Sequence, residues 1–256
     1  MTTSGLIGRE AQGASKTYTP TRNDIIRDVV VTTLRTPVLG ITATGKLAKI
    51  TAAEVPEIGG RTRGKAGSEV LGTDRGDSIV AIFGPEGDPM LLVSAQGMTK
   101  RLDRSTVKDL RAGRPVMKLV STDRIVAAFP VTEKQEVTFV SSDAQSLRTP
   151  ASGISIQGPA AKGVAGIKLK GKAKVVGAGV ATKASIIVSV TDRGTAKATA
   201  TEEVPSKGRG GSGVRITKFK DEDRIEFAWI GEPDRTMCVV GQQDAPSKPD
   251  LSLIHI

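Results

Sequence analysis

Histidine, cysteine and aromatic residues are nearly missing from this chain. In 256 residues there is one histidine, one cysteine, one tryptophan and one tyrosine, with five phenylalanines. The lone histidine, His255, sits at the C-terminal end, which removes Ser-His-Asp, Cys-His and histidine-based metal chemistry. One cysteine, Cys238, allows no internal disulfide framework and fits a reducing cytoplasm. The shortage of aromatics argues against a single-strand binder, which stacks bases on aromatic platforms worth about 1–3 kcal/mol each. Phe83, Phe129, Phe139 and Phe227 lie in apolar runs and are expected in the core. There is no run of 18 apolar residues and no basic amphipathic helix. The start of the chain lacks the apolar middle of a signal peptide.

The sequence is rich in positive charge: 37 Lys and Arg against 27 Asp and Glu, a formal net charge of +10. Such an excess favours a polyanionic partner, and with few aromatics it fits duplex backbone binding. The acids lie mostly in turns (Glu86, Asp88, Asp221, Glu222, Asp223), where turn chemistry accounts for them. Tyr18 stands in an irregular polar segment without the rigid surroundings a nucleophile needs. No catalytic residue, metal site or cofactor is expected.

Four stretches repeat one pattern around a turn residue: Gly45, Gly97, Ala144 and Gly194, spaced by 52, 47 and 50 residues. Four positions earlier stand Ile41, Val93, Val140 and Val190; three earlier, Thr42, Ser94, Ser141 and Thr191. Seven earlier stand Val38, Met90, Val137 and Ile187; four later, Lys49, Arg101, Arg148 and Ala198. A period near 50 made of short hairpins (38–50, 90–102, 137–149, 187–199) predicts the blades of a propeller-like array. After each hairpin come a Gly- or Pro-rich connector, a short strand, an acidic turn and an apolar strand. Asp28–Thr36, Val-rich and β-branched, reads as a buried strand.

Gly5–Arg9 matches the half of the pattern after the turn, and Met237–Val240 the half before it. Residues 1–240 are therefore expected to form one domain of repeats. The Pro-containing stretch from Ala245 to Pro249 cannot return as a strand. Residues 241–256 are expected to be a disordered or non-native tail, and the chain a fragment of a longer protein.

The most specific local motif is Lys207-Gly-Arg209-Gly-Gly-Ser-Gly213, whose glycine amides can form an anion-binding nest beside Arg209. Connectors around Arg63, Lys65 and Lys162 occupy the same place in their repeats. The hairpins, above all Val93 to Arg101 and Val190 to Lys197, resemble the C-terminal domain of the A subunit of bacterial type IIA topoisomerases. Lys207–Gly213 is similar to the family's Gln-Arg-Arg-Gly-Gly-Lys-Gly box, departing from it at Lys207, Gly208 and Ser212.

That resemblance implies an all-β fold, a β-pinwheel of about five to six four-stranded blades with incomplete terminal blades, around whose basic rim duplex DNA bends. It also implies as partners the ATPase-bearing B subunit and the rest of the A subunit, in the nucleoid region of the cytoplasm. The gyrase and topoisomerase IV assignments both stay open. The expected rim is Arg9, Lys49, Lys100, Arg101, Arg148 and Lys197, with Arg63, Lys65, Lys162, Lys207 and Arg209 from the connectors. A propeller that serves as a protein scaffold for an acidic partner is the alternative.

Overall fold

The computed structural model describes residues 1–2, 5–10, 26–59 and 64–233. Tyr18, Arg63, Cys238, His255, the strand expected at 237–240 and the tail at 241–256 lie outside the described residues. Contacts divide the described chain into two compact units. One holds Met1–Gly87 and Arg104–Val116; the other holds Asp88–Asp103 and residues 117–233.

In the first unit, β1 (Leu6–Ile7), β2 (Pro37–Thr42), β3 (Leu47–Thr51), β4 (Lys65–Ala66), a four-residue helix α1 (Gly67–Val70) and β5 (Ile79–Phe83) follow in order. They form a sheet β3-β2-β5 and a two-stranded sheet β1-β4. The second unit carries β6 (Met90–Ser94), β7 (Met98–Leu102), β8 (Ile125–Pro130), β9 (Glu136–Ser141), β10 (Gln145–Pro150), β11 (Val164–Ala165), β12 (Val175–Ala181), β13 (Ile186–Thr191), β14 (Ala196–Ala200), β15 (Val214–Arg215) and β16 (Ile225–Gly231). Its sheets run β11-β7-β6-β8, β12-β9-β10-β15 and β14-β13-β16. The four hairpin blades stand where the period places them.

Each repeat residue has a physical task. The turn residue lies in the left-handed region, with φ of 77°, 80°, 63° and 82° at Gly45, Gly97, Ala144 and Gly194. The hydroxyl three positions earlier is buried. It accepts a backbone N–H beyond the turn at 3.1–3.2 Å from Lys46 to Thr42, Met98 to Ser94 and Thr195 to Thr191, whereas Ser141 Oγ donates to the Gln145 carbonyl at 3.2 Å. The acidic turns clamp the same hairpins from outside. Asp77 accepts the Thr44 amide at 3.0 Å, and Asp123 the Gln96 amide at 3.0 Å. The apolar positions four and seven residues before the turn are all buried, and burying such a side chain contributes about 1.5–3 kcal/mol.

Blades are completed by the repeat that follows. The connector strand β11 lies antiparallel on β7, β15 on β10 and β4 on β1. In the first unit, Gly113 and Val116 play the same part through hydrogen bonds to Leu47 and Gly45. This exchange of strands defines the β-pinwheel fold. It requires glycine just before each named donated strand. A Cβ on Gly64, Gly163 or Gly213 would stand 2.6, 2.6 and 2.2 Å from the carbonyl oxygens of Ile7, Thr99 and Ser146 on the receiving strands. At the opposite sheet edge β12 packs on β16, and a Cβ on Gly177 would meet the Ala228 carbonyl at 2.2 Å.

Two apolar expectations are corrected. Asp28–Thr36 is not a strand, and much of it is exposed, with Val31 96% accessible. Its β-branched composition indicates extended backbone but does not supply a partner to cover it. Phe83 and Phe139 are core residues, whereas Phe227 is 38% exposed. It pairs with Val190 on β13, and the pleat of β16 turns its side chain away from its buried neighbour Ala228.

Candidate nucleic-acid interface

Three of the cations at the recurring position, Arg9, Lys49 and Arg101, reach main-chain carbonyls of the following repeat. Arg101 lies on β7 and is only 4% exposed. Its Nε donates to the Ile154 carbonyl at 2.6 Å, just past the 3-10 turn Ala151–Gly153, and its Nη2 pairs with Glu133 at 3.0 Å. Arg9 repeats this geometry in the first unit. Its Nε donates to the Val55 carbonyl at 2.9 Å beyond the 3-10 turn Ala52–Glu54, and its Nη1 pairs with Glu57 at 3.0 Å.

Lys49 reaches the Lys108 carbonyl at 2.5 Å, past the 3-10 turn Arg104–Thr106. Arg148 is held beside Glu136 at 3.3 Å, and Glu136 also accepts the Ser206 hydroxyl. Backbone bridges Arg9–Glu57, Arg101–Ile156 and Arg148–Ser206 fix three of the four contacts. The repeated register thus forms blade-to-blade latches at Arg9, Lys49 and Arg101, which turn to the next repeat instead of to a rim, whereas Arg148 pairs with Glu136 of its own blade and its Nε is buried without a partner among the described residues. A cation suits the place because the short turn leaves carbonyls pointing inward without donors.

Lys100 is also corrected. It is fully buried, and its Nζ donates to the carbonyls of Gly158, Pro159 and Ala161 at 2.7, 3.2 and 3.1 Å. Burial pulls its ammonium down to about 8. The unfolded chain, near 10.5, then holds the extra proton between pH 8 and 10.5, so stability rises with pH across that window. Below pH 8 both states are charged and the cost is constant. Melting temperatures of the parent and Lys100→Met should therefore separate with pH: from pH 8 to 10 the parent gains relative to the variant. A flat difference would count against a buried, desolvated ammonium.

The connector cations are available to a ligand. Lys162 and Lys207 are exposed and form no ion pair among the described residues. Arg209, also exposed, donates Nε to Gly153 at 2.8 Å and Nη1 to Ala165 at 3.4 Å, which holds its guanidinium at a surface groove lined by Pro150, Ser206, Lys207 and Gly208. Lys207 and Arg209 flank the segment that leads into β15, the outermost strand of its sheet. Lys65 is exposed but paired with Glu69 at 3.2 Å, and Lys197 is exposed with its Nζ on the Ile216 carbonyl at 2.5 Å. Missed in the sequence were Arg215, exposed on β15, and four exposed lysines at 168, 170, 172 and 174. Their alternation was the signal. Among the described residues no group of three or more His, Cys, Asp or Glu could hold a metal ion, and no helix is long and apolar enough to cross a membrane.

The family model for the DNA gyrase C-terminal domain, beta-propeller, matches residues 37–83, 88–132, 135–182 and 185–228, one segment for each hairpin blade. The chain belongs to that family. It is 28% identical over 244 residues to the A subunit of DNA gyrase from Aminobacterium colombiense, covering 93% of this chain and 30% of that protein. To the Escherichia coli counterpart it is 27% identical over 207 residues, covering 79% of this chain and 24% of the other. The chain thus spans less than a third of the length of these relatives. Its fold matches a solved C-terminal domain of DNA topoisomerase IV with a TM-score of 0.87 at 22% identity, over 99% of this chain and 83% of that one. The E. coli ParC C-terminal domain matches with a TM-score of 0.67 at 16% identity, over 91% and 97%. The last matched segment, residues 185–228, takes in the Gly-rich stretch that feeds β15.

Proposed function

We propose that this chain binds and bends duplex DNA as the C-terminal domain of a type IIA topoisomerase A subunit. In that role it would direct segment capture in the bacterial cytoplasm, alongside the ATPase-bearing B subunit and the rest of its own polypeptide. The observation that carries the reading is the placement of Lys207 and Arg209: exposed, on the segment that feeds the outermost strand of a blade, in a family named for DNA gyrase. Lys162 enters β11, the outer strand of the preceding blade, in the same way. Lys65 and Lys197 join the set once their surface partners are exchanged for phosphates. Arg63 belongs to it by its place in the repeat.

Phosphate contacts of this kind position DNA without reading its bases. Bending 20–30 bp by 40–90° costs about 1–6 kcal/mol, so several contacts must act together and affinity must fall steeply with salt. The test is duplex binding across a salt series with the Lys207→Gln, Arg209→Gln double variant. The logarithmic salt slope should drop by about 2, one unit for each lost contact, with little change in melting temperature. A wild-type chain that ignores duplex DNA at low salt would sink the reading and turn attention to an acidic protein partner. Plasmid ligation in the presence of the chain then separates chiral wrapping, the gyrase-like behaviour, from binding without a linking-number shift.

A further inference from the structure

The loop between β11 and β12 reads Ile167-Lys168-Leu169-Lys170-Gly171-Lys172-Ala173-Lys174. All four of its lysines are exposed, and none forms an ion pair among the described residues. The matching loops of the neighbouring blades offset their cations with acids: Lys118 and Arg124 stand with Asp123 before β8, and Lys218, Lys220 and Arg224 with Asp221, Glu222 and Asp223 before β16. In the blade of β6 the acid has a task, since Asp123 accepts the Gln96 and Arg124 amides at 3.0 and 2.8 Å. In the blade of β9 that task passes to Ser142, whose hydroxyl accepts the Lys174 amide at 3.1 Å while its own amide donates to the Lys174 carbonyl at 2.8 Å. The hairpin is held as before, and the loop keeps its cations with no acid to offset them.

The loop is anchored by its backbone along its length. Gly166 donates to Gly97, Lys168 to Gly211, Ala173 to Lys170 and Val175 to Ala95, each at 2.8–3.0 Å. It starts at the outermost strand of one sheet and ends at β12, on the far edge of the next, so it crosses the hairpin-turn ends of two blades. Lys168 lies against the Gly-rich segment that feeds β15, through its bond to Gly211, whereas Lys174 immediately precedes β12, at the opposite edge of that sheet from β15.

We infer that this lysine ridge is a second phosphate-binding surface, which holds a stretch of duplex DNA across the turn ends of the blades, separate from the outer-strand contacts of Lys162, Lys207 and Arg209. The inference rests on the DNA-binding reading above. A ridge preset by main-chain hydrogen bonds loses little freedom on binding, which favours contact with a rigid polyanion.

The experiment compares two charge-matched double variants of the full chain on a 30-bp duplex over a salt series. Lys170→Gln, Lys172→Gln removes the ridge. Lys134→Gln, Lys183→Gln removes two exposed lysines from the loops at the opposite end of the same sheets. The ridge variant should lose about 1.8 from the logarithmic salt slope, at about 0.9 per phosphate, with an unchanged melting temperature, while the control keeps the parent slope. If the parent binds and the ridge variant keeps its slope, or if both variants lose equally, the ridge is overturned and the outer-strand reading survives. A parent that does not bind duplex DNA overturns both.

Discussion

Gly213→Ala is expected to destabilise the second unit by about 3 kcal/mol, the sum of a left-handed backbone cost and a forced shift of main chain. Gly213 has φ +71°, and its missing Cβ would stand 2.2 Å from the Ser146 carbonyl and 2.6 Å from its carbon. Neither atom belongs to a flexible side chain, so relief must come from pulling β15 off β10. That would break the Ser146–Val214 and Gln145–Arg215 pairings. For a unit of this size the loss corresponds to a fall in melting temperature of about 6–12 °C. Gly208→Ala, five residues earlier in the same Gly-rich segment, meets nothing within 4 Å and has no positive φ. It should leave melting unchanged. Thermal unfolding of the two variants side by side is the check. Equal, small effects would show that strand donation does not depend on the glycine.

Arg101→Met is expected to cost about 2–4 kcal/mol while the salt slope of DNA binding stays at the parent value. Its removal strips the Ile154 carbonyl of a buried charge-assisted donor and releases the Glu133 partner. Most of the cost falls on the carbonyl side, because Glu133 is largely exposed and can turn to water. Arg101→Lys should recover only part of the loss: a lysine cannot fork to a carbonyl and a carboxylate held in two fixed directions. A rim residue would behave in the opposite way, with a reduced slope and ordinary melting. Denaturant titration and a salt series on one preparation therefore separate latch from rim.

The hairpins were legible because their signature is local. A left-handed turn residue, a hydroxyl three positions before it and alternating apolar residues all act within ten residues of chain. A short strand after each connector was legible, but not which strand β4, β11 and β15 would pair with, because two residues carry no period to set a register. What marks them is a glycine whose need arises only from a carbonyl on another repeat. The latches were visible as a periodic cation and misread, since a repeat shows that a residue is needed at a register without showing which side of the sheet it faces. Lys100 followed the same course: Thr99, Lys100 and Arg101 are all buried, because the next repeat covers β7 on the face that a free hairpin would show to water. Asp28–Thr36 failed for the reverse reason, a strand-like composition without a neighbour. The connector cations Lys162, Lys207 and Arg209, singled out through glycine-rich context, are exposed, whereas the 168–174 lysines went unnoticed because their loop was read as one of the acidic turns.

Strand donation also fixes what can be exchanged in evolution. A blade taken out alone would leave with a borrowed strand and abandon one of its own, so it is a poor unit of transfer. A sequence repeat, from one hairpin to the start of the next, gives one outer strand and receives one. It can be inserted or deleted with every remaining blade still complete. Lengthening or shortening such an array therefore needs no invention of new edges, only a matched glycine, latch cation and carbonyl at the splice.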